Sequence, residues 1–459
     1  MTRPDRDPFG ARRSLVLDVS GLLRWSGPAV GIARTEHALA QAALLRGDTV
    51  LACWHEGRLR TIDPAWRDVL LGWSGTLDPH RPQPPRTGWR RAIPGRQPAI
   101  AALERLRLTA SVPVAAAAGL AQRAILAVRP HGFAVHDGRR NRVANVPPSL
   151  GLGAEIRLRP GDTVFSAGNG WFWGDAGGLR ALRHRHRLRT VVLCYDLLPI
   201  THPELFQPGV DASFAAYWRA TLPVTDRCIV TAACIAQDLR RFCASEEIAT
   251  PEIVQLPLGY DPAPTAITGP LPHGLAAGRY ALLVGTIEPR KGHAMLLRAW
   301  QILLERGVPQ ASGFCMVFVG RPGWMVEPVL AALAAGIPGI VHLPGVDDAV
   351  LGTLYGHAAF CLYPSLYEGF GLPVIEAFAR GLPLIASTAP AVQELAADLA
   401  PCLDPTDATA WAAAIEHWIT QPAALATAAE TIRRRFSHPD WPTAAAALLQ
   451  EAVSPAREA

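Results

Sequence analysis

The chain has 459 residues, of which 49% are hydrophobic and 18% are charged. This length leaves room for two domains of ordinary size, and the hydrophobic fraction excludes wholesale disorder. The formal net charge is only +5, and no block of consecutive basic residues resembles a nucleic-acid-binding arm. The composition therefore argues against a nucleic acid as a partner.

The amino terminus and the cysteines indicate where the protein works. Residues 1–13 are polar and basic with no apolar core behind them, which excludes a secretory signal in this segment. The apolar stretch 112–128 is too short and too interrupted to span a bilayer. The eight cysteines form no Cys-x-x-Cys pair and no spacing typical of a zinc site. We therefore predict reduced thiols in a cytoplasmic protein.

Short apolar runs alternate with helical patterns along the first half of the chain. Residues 14–19 predict a strand, which leads through the glycine-bearing connection 26–34 into a helix over 35–46. The remaining strands of this half are predicted over 50–54, 163–167, 190–195, 227–230 and 254–258. This alternation is typical of a doubly wound parallel sheet.

Between these strands lies a segment of different composition. Residues 75–98 are rich in Pro, Arg and Gly, and a helix broken at Pro113 is predicted over 103–128. We interpret the range of about 75–160 as an insertion. A Pro- and Gly-rich linker is predicted over 257–278.

A second α/β series begins at Tyr280, and after Asp404 the sequence predicts helices only. Its strands are predicted near 280–284, 315–319, 340–343, 358–363 and 383–386. The first of these strands precedes Arg290 and Lys291, the only lysine in the chain. Both cations therefore lie at the carboxyl edge of a strand, where open α/β sheets bind ligands. An ammonium there can neutralise a diphosphate leaving group, although a solvated Arg-Lys pair in a loop is the alternative.

A second motif combines two carboxylates with a glycine turn. The predicted strand 358–363 is followed by Glu368, and the turn 369–371 comes next. Pro373 suits the first turn of a helix, and Glu376 lies about one turn into it. The N–H groups at such a helix start form an anion site, and carboxylates accept hydrogen bonds from sugar and ribose hydroxyls. Together they predict a pocket for a nucleotide whose phosphates carry a sugar.

These motifs resemble those of the family 4 glycosyltransferases of the two-Rossmann GT-B type, in the form found in bacterial surface-polysaccharide synthesis. The resemblance is carried by Gly285-Thr-Ile-Glu-Pro-Arg-Lys-Gly292, Phe318-Val-Gly-Arg321, Glu368-Gly-Phe-Gly-Leu-Pro-Val-Ile-Glu376, Ile385-Ala-Ser387 and Leu403-Asp-Pro405. It implies an α/β fold in which two Rossmann-like domains face each other across a cleft. Residues 1–265 would bind the acceptor, residues 278–435 would bind the nucleotide sugar, and a helix within 436–459 would pack back on the first domain.

The resemblance also implies roles for individual residues. Arg290 and Lys291 would stabilise the charge that grows on the departing diphosphate, and Glu368 would orient the donor sugar. The residues expected to bind the donor are Gly285, Thr286, Arg321, Gly369, Phe370, Gly371, Leu372 and Glu376. Among these, Glu376 would accept hydrogen bonds from the ribose. With protein cations neutralising the diphosphate, neither a metal nor a cofactor is expected.

Two positions depart from the family pattern. Many relatives carry arginine where this chain has Thr286, so Arg290 or Arg321 would supply that contact. In the acceptor domain, Tyr195 stands where relatives often carry histidine, directly before Asp196. Tyrosine can hydrogen-bond a sugar hydroxyl but carries no charge near neutral pH.

Four residues are predicted on the acceptor side, and each has a structural alternative. They are Gly31, Arg34, Tyr195 and Asp196. The alternative for Gly31 is a tight turn, and for Arg34 it is a cation on a helix face. Tyr195 and Asp196 are equally compatible with structural positions at a strand end.

The predicted function is retaining transfer of a hexose from a nucleotide-diphosphate sugar to a lipid-linked or polysaccharide acceptor. GDP-mannose is the first candidate donor by family frequency, followed by UDP- and dTDP-sugars. The alternatives are a non-catalytic nucleotide-sugar-binding subunit, a sugar-nucleotide epimerase of the same fold, and a pyridoxal-phosphate phosphorylase in which the lone lysine carries a Schiff base. Peripheral contact with the inner face of the plasma membrane stays open.

Overall fold

The computed structural model describes residues 15–24, 31–63, 152–261 and 269–455. The predicted irregular segment 75–98 and the predicted helix over 103–128 lie outside these ranges. The described residues form two separate sheets, one in each half of the chain. The two α/β series predicted from the sequence are therefore both present.

The first sheet has eight strands in the order β4-β3-β2-β1-β5-β6-β7-β8. These are β1 Leu15–Asp18, β2 Thr49–His55, β3 Arg58–Ile62, β4 Leu152–Glu155, β5 Thr163–Ser166, β6 Arg189–Cys194, β7 Arg227–Val230 and β8 Glu252–Gln255. The pairings from β2 through β1 to β8 are parallel. Strands β3 and β4 add an antiparallel edge.

This antiparallel edge was not predicted. The turn between β2 and β3 places both Glu56 and Gly57 at positive φ, a conformation that suits a tight hairpin. A glutamate at the first turn position hides the usual hairpin signature, and the short β3 carries two arginines. Strand β4 lies inside the range 75–160 that was interpreted as an insertion, so that range was drawn too wide at its carboxyl end.

The second sheet has six strands in the order β11-β10-β9-β12-β13-β14, all parallel. These are β9 Tyr280–Val284, β10 Cys315–Val319, β11 Ile340–Leu343, β12 Phe360–Tyr363, β13 Leu384–Ser387 and β14 Cys402–Leu403. The order reverses between β9 and β12, which makes that point the topological switch of a Rossmann sheet. The corresponding reversal in the first sheet lies between β1 and β5.

Helices cover both sheets, as buried parallel strands require. Those of the first half are α1 Ser20–Arg24, α2 Ile32–Arg46, α3 Gly170–Trp173, α4 Ala176–His186, α5 Leu198–Thr201, α6 Val210–Thr221 and α7 Ala233–Ser245. Those of the second half are α8 His293–Glu305, α9 Val308–Ser312, α10 Glu327–Ala334, α11 Asp348–His357, α12 Leu372–Phe378, α13 Pro390–Ala396, α14 Ala408–Thr420, α15 Pro422–Arg435 and α16 Trp441–Val453. Short 3-10 turns occupy Pro203–Leu205, Leu222–Val224 and Pro289–Lys291.

The last helix returns to the first half of the molecule. Trp441, Leu448 and Leu449 on α16 are buried in one cluster with Leu15 on β1 and Leu39 on α2. Asp440 caps α16 by accepting a hydrogen bond from the amide of Thr443. The end of the chain thus ties the two halves together through an apolar core.

Each of the eight cysteines is free. Among the helices of the described ranges, none combines the length and the apolar character needed to cross a membrane.

Candidate active site

Two loops meet at the topological switch of the second sheet. The loop after β9 carries Arg290 and Lys291, and the loop after β12 carries Glu368. The two loops are joined by a backbone hydrogen bond of 2.7 Å from the amide of Leu366 to the carbonyl of Arg290. The carboxyl ends of these neighbouring strands therefore bring together residues that lie far apart in the sequence.

Gly292 fixes the position of Lys291. The 3-10 turn Pro289–Lys291 ends at Gly292, whose φ of 73° lies in the left-handed region. A Cβ on this residue would lie 2.4 Å from the carbonyl oxygen of Pro364 in the neighbouring loop. A glycine is needed here both for the turn and for the close approach of the two loops.

Lys291, Arg290, Glu288 and Glu368 form one buried ionic cluster. The Nζ atom of Lys291 lies 2.6 Å from Oε1 of Glu368, and Nη1 of Arg290 pairs with Oε2 of the same carboxylate. The Nε atom of Arg290 lies 2.9 Å from Oε2 of Glu288. Lys291 is 9% exposed and Glu368 is 6% exposed. The two positive and two negative side chains balance, which is how buried charges are tolerated.

The electrostatics of the cluster follow from burial and mutual contact. Burial raises the pKa of Glu368, but the charges of Arg290 and Lys291 outweigh this effect and hold the pKa at about 2. Burial and the neighbouring Arg290 lower the pKa of Lys291. For Arg290 burial acts in the same direction, but Glu368 and Glu288 raise its pKa above the ordinary value. Glu368 is thus ionised at neutral pH and holds two adjacent cations together.

Tyr363 completes the surroundings of the lysine. Its hydroxyl lies 3.2 Å from Nζ of Lys291, and the ammonium is 5.2 Å from the centre of the Tyr363 ring. Tyr363 and Glu288 were not predicted as site residues. Glu288 could have been found, because it lies in the same motif as Lys291. Tyr363 ends a buried strand and carries no such signal.

The glycine turn after Glu368 is one place where the two halves touch. A Cβ on Gly369 would lie 2.2 Å from the carbonyl oxygen of Tyr195. The carbonyl of Gly369 accepts a hydrogen bond of 2.7 Å from the Thr231 hydroxyl. Gly371 has a φ of 122° and precedes α12. The turn is therefore closely fitted to the ends of β6 and β7.

Tyr195 and Asp196 lie at this contact but differ in what their side chains do. The Tyr195 phenol is buried and donates a hydrogen bond to the carbonyl of Ala167 within the first half. This arrangement agrees with the alternative that Tyr195 is a structural strand-end residue. The Asp196 carboxylate accepts a hydrogen bond of 3.0 Å from the amide of Leu198. Burial raises the pKa of Asp196, and the positive charge of Arg290 opposes that shift.

Glu376 makes a second contact across the domains. Its Oε1 lies 3.3 Å from Nη1 of Arg34 on α2, and its Oε2 accepts a hydrogen bond of 3.0 Å from the hydroxyl of Tyr355. Arg34 is also 3.2 Å from Asp261 and 3.8 Å from Asp348. Arg34 was predicted on the acceptor side, and it in fact reaches the carboxylate that was predicted to hold the ribose.

Three more predicted donor residues lie at close packing contacts. Gly285 has a φ of 157°, and Gly320 packs against it so closely that a Cβ on Gly320 would lie 1.9 Å from the Gly285 carbonyl oxygen. The side chain of Phe370 is buried in the core of the first half, and Leu372 packs against the same core, so any donor contact by Phe370 would come through its amide.

Three predicted residues lie outside the ionic cluster. Thr286 is half-buried next to Gly285. Arg321 is exposed on the loop after β10, and its backbone carbonyl accepts a hydrogen bond of 2.9 Å from the amide of Ile287. Gly31 is exposed and starts α2 with a φ of 50°. The role of Arg321 in supplying the contact that is missing at Thr286 stays a prediction.

Within the described ranges, no three His, Cys, Asp or Glu side chains cluster closely enough to hold a metal ion.

The carboxyl edge of the first sheet carries a pair of carboxylates that the sequence did not indicate. Asp18, at the end of β1, accepts hydrogen bonds from Ser20 and Ser166, and Glu36 on α2 lies nearby. Burial, followed by the charge of Asp18, raises the pKa of Glu36 to about 8. A carboxylic acid inside a helix gives no sequence signal of its burial.

Residues 276–435 match the family model described as Glycosyl transferases group 1. This match covers both loops of the ionic cluster and confirms the resemblance of this half of the chain to the glycosyltransferases.

Curated relatives match between about a third and a half of the chain. The serotype-specific mannosyltransferase WbdA of Escherichia coli is 28% identical over 240 residues, which are 49% of this chain and 29% of the relative. The O-antigen chain mannosyltransferase B of the same organism is 36% identical over 143 residues, 31% of this chain and 37% of the relative. The chain therefore spans well under two thirds of the length of these relatives.

Solved structures show the fold over nearly the whole chain. Sucrose-phosphate synthase from Thermosynechococcus elongatus has a TM-score of 0.55 at 18% identity, covering 96% of this chain and 98% of its own. The structure described as trehalose-6-phosphate from E. coli bound with UDP-2-fluoro glucose has a TM-score of 0.58 at 16% identity, covering 96% and 100%. The predicted architecture of two Rossmann-like domains in the GT-B arrangement is confirmed.

Proposed function

We propose that the protein is a glycosyltransferase of bacterial surface-glycan synthesis that moves a hexose from a nucleotide-diphosphate sugar to a glycan or lipid-linked glycan. The observation that carries this proposal is the buried cluster of Lys291, Arg290 and Glu368 at the switch point of a group 1 glycosyltransferase domain. Two cations held in a protected site can stabilise the charge that develops on a departing diphosphate.

In this proposal Glu368 holds the cations in place. Two adjacent buried cations repel each other, and Arg290 already lowers the pKa of Lys291. The carboxylate between them offsets that repulsion, so both point to the same place before the donor arrives. Such preorganisation lowers the barrier because the site does not have to rearrange as charge develops.

Glu376 is proposed to accept hydrogen bonds from the ribose. A carboxylate is a strong acceptor with room for about four hydrogen bonds, and here it already has Arg34 and Tyr355 as partners. Ribose hydroxyls would compete with Arg34 for Oε1. Donor binding would therefore loosen one contact between the domains.

The finer features are proposals as well. GDP-mannose is the donor to test first, because the relatives that match 49% and 31% of the chain are named as mannosyltransferases. Transfer is proposed to retain the anomeric configuration, with the acceptor attacking from the face that the diphosphate leaves. The diphosphate is proposed to be neutralised by Arg290 and Lys291 without a metal ion.

The test is release of nucleoside diphosphate from GDP-mannose, UDP-glucose and dTDP-glucose, each with and without a manno-oligosaccharide acceptor. Lys291→Ala is expected to lower turnover by about a hundred- to a thousandfold. Losing one well-placed hydrogen-bond donor that stabilises transition-state charge has an effect of this size. Glu376→Ala is expected to raise the KM for the donor. Arg306→Ala is the control, because Arg306 belongs to neither loop and pairs with Glu416 at partly exposed positions.

Unchanged turnover in both active-site variants would refute the proposal. Donor binding without transfer to any acceptor would favour the non-catalytic alternative. The configuration of the product, read by NMR, decides retention. Turnover that persists in excess EDTA supports the metal-independent mechanism, and its loss contradicts it.

A further inference from the structure

A cavity of about 660 Å³ lies between the two domains, beside the loop that carries Glu368. Its volume is in the range of about 300–1,000 Å³ typical of ligand sites. The first domain contributes His202, Gln237 and Asp238, and the second contributes Tyr367, Gln393 and Glu394. The cavity therefore exists only while the domains face each other as they do here.

The walls of this interdomain cavity are held by hydrogen bonds between the domains. The Tyr367 hydroxyl donates to Oδ2 of Asp238, a carboxylate that is almost completely buried. Glu394 accepts a hydrogen bond of 2.9 Å from the amide of Ala233, the first residue of α7. Helix α7 has no capping side chain of its own, so a residue of the other domain supplies the cap. The lining is thus a built structure and not a gap between unrelated surfaces.

The chemistry of the lining suits a ligand rich in hydroxyl groups. The rings of His202 and Tyr367 lie 4.8 Å apart and form an aromatic wall. Gln237 of the first domain and Gln393 of the second both line the cavity, and an amide side chain both donates and accepts hydrogen bonds. Asp238 and Glu394 add strong acceptors. A sugar presents what these groups match, namely hydroxyls that donate and accept around an apolar ring face.

The charge of the lining argues against an anionic ligand. Two carboxylates face the cavity, and Arg241 is the only cation among its lining residues. The Arg241 side chain is 73% exposed and lies 3.6 Å from Asp238, which offsets its charge. The ionic cluster around Lys291 has the opposite character, with two cations offered to a diphosphate. A nucleotide and the phosphate of a lipid carrier are both disfavoured in the cavity.

The cavity adjoins the proposed transfer site. Tyr367 directly precedes Glu368, and its carbonyl oxygen accepts a hydrogen bond of 3.4 Å from Nη1 of Arg290. Tyr367 therefore lines the cavity and also contacts Arg290. A glycan that entered the cavity would have its end close to the donor sugar.

We propose that this cavity is a subsite for a neutral saccharide unit of the acceptor, separate from the nucleotide site. This proposal rests on the proposed transferase function and names where the sugar portion of the acceptor binds. The subsite is formed by Gln237, Asp238 and His202 of the first domain and by Gln393 and Tyr367 of the second.

The test measures saccharide binding directly, without any transfer. Methyl α-mannoside, a linear mannotriose and maltotriose are titrated into the full chain and followed by saturation-transfer NMR and calorimetry. A manno-oligosaccharide is expected to bind. The double variant Gln237→Ala/Gln393→Ala is expected to weaken that binding by about tenfold, which corresponds to the loss of two neutral hydrogen bonds.

Gln301→Ala is the matched control. Gln301 is exposed on α8, where its side chain bonds Glu305, and it lies outside the cavity. Binding of GDP and UDP is measured on the same samples. Nucleotide affinity in the double variant is expected to match that of the unmodified chain, which also shows that the variant is folded.

Three results would overturn the subsite. They are no binding of any saccharide in the panel, equal saccharide affinity in the double variant and the unmodified chain, and displacement of the saccharide by GDP or UDP from the same place. Failure of the transferase proposal gives a different pattern. In that case Lys291→Ala leaves nucleoside diphosphate release unchanged, whatever the saccharide titrations show.

Discussion

The carboxyl edges of the two sheets treat buried charge in opposite ways. At the second sheet, Glu368 lies between Lys291 and Arg290, and its pKa falls to about 2. At the first sheet, Glu36 lies near another carboxylate, Asp18, and its pKa rises to about 8. Glu36 is 1% exposed and Asp18 is 3% exposed, so neither reaches bulk water.

The difference lies in the partners and not in the depth of burial. Burial raises the pKa of Glu368 and of Glu36 alike, but two cations reverse the shift only at Glu368. The second edge therefore presents fixed charges that suit a diphosphate. The first edge holds a buried carboxylic acid that stays largely neutral below pH 8.

The largest expected effect comes from removing the carboxylate that balances the second edge. Glu368→Gln keeps the shape of the side chain but leaves Lys291 and Arg290 without the carboxylate that they share. We expect the free energy of unfolding at pH 7 to fall by about 3 kcal/mol, the low end for breaking a buried ion pair, because Glu288 still pairs with Arg290. Chemical denaturation measures this change.

Glu416→Gln is the control for that prediction. Glu416 pairs with Arg306 at 2.7 Å, but both side chains are partly exposed, so the same substitution should cost less than about 1 kcal/mol. Equal losses in the two variants would show that the cluster at Lys291 contributes no more than a surface pair.

The second prediction removes the charge at the first edge and reads the result against pH. The folded pKa of Glu36 is about 8, above the ordinary value of 4.5, so the folded state binds the extra proton. The stability that this proton provides is complete below about pH 4.5 and is lost as the pH rises to 8. Glu36→Gln, which cannot ionise, should therefore gain stability over the unmodified chain as the pH rises.

The expected gain for Glu36→Gln is on the order of a few kcal/mol at pH 9 and close to zero at pH 5. Thermal or chemical unfolding at both pH values measures it. Glu305→Gln, an exposed site on α8, should show no such pH dependence. A stability difference that is flat between pH 5 and pH 9 would mean that Glu36 is ionised in the folded protein.

The sequence predicted the second edge far better than the first. Arg290, Lys291 and Glu368 stand beside glycines whose spacing identifies a strand, a turn and a helix start. Gly292 and Gly371, at φ of 73° and 122°, adopt conformations that other residues rarely take. The local backbone geometry can therefore be predicted from the glycines in the sequence. That is why the loops, the fold class and the meeting of Lys291 with Glu368 could be anticipated.

What the sequence did not predict depends on contacts between distant residues. Asp18 and Glu36 belong to different elements, and nothing in their neighbours indicates that both are buried. Arg34 contacts Glu376 across 342 positions, a pairing that no local pattern encodes. Strand β3 was missed because its hairpin turn has glutamate at the first position, and strand β4 because it pairs with β3 across about 90 residues of sequence. Long-range packing decides all of these cases except the hairpin.

The third prediction tests the point where the two edges touch. In Gly369→Ala the new Cβ would lie 2.2 Å from the Tyr195 carbonyl oxygen, so the turn or the domain must move. Because a displacement of about 1 Å near the reacting groups can lower the rate about a hundredfold, transfer should fall by roughly that factor. Donor affinity should fall as well, because Gly369 is among the residues predicted to bind the donor, but by a smaller factor, since Arg290 and Lys291 lie on another loop.

Gly345→Ala is the control for the contact at Gly369. Gly345 follows β11, and a Cβ there would meet no atom within 4 Å. Steady-state kinetics should show a strong fall in kcat for Gly369→Ala and an unchanged kcat for Gly345→Ala. A fall in transfer of similar size in Gly345→Ala, or none in Gly369→Ala, would remove the contact with Tyr195 from the mechanism.

The smallest expected effect concerns the ion pair that links the edges. Arg34 lies 3.3 Å from the Glu376 oxygen that the ribose is proposed to use. A partly exposed pair of this kind is worth about 0.2–1 kcal/mol. If the nucleotide must displace Arg34, then Arg34→Ala should tighten GDP or UDP binding by up to about fivefold, as measured by calorimetry.

Tyr355→Phe is the control for Arg34→Ala. It removes the hydrogen bond to the other oxygen of Glu376 and leaves Arg34 in place, so it should produce a smaller change. Weaker nucleotide binding in Arg34→Ala would instead make Arg34 a ligand of the nucleotide, a cation that the first domain adds to the two in the second.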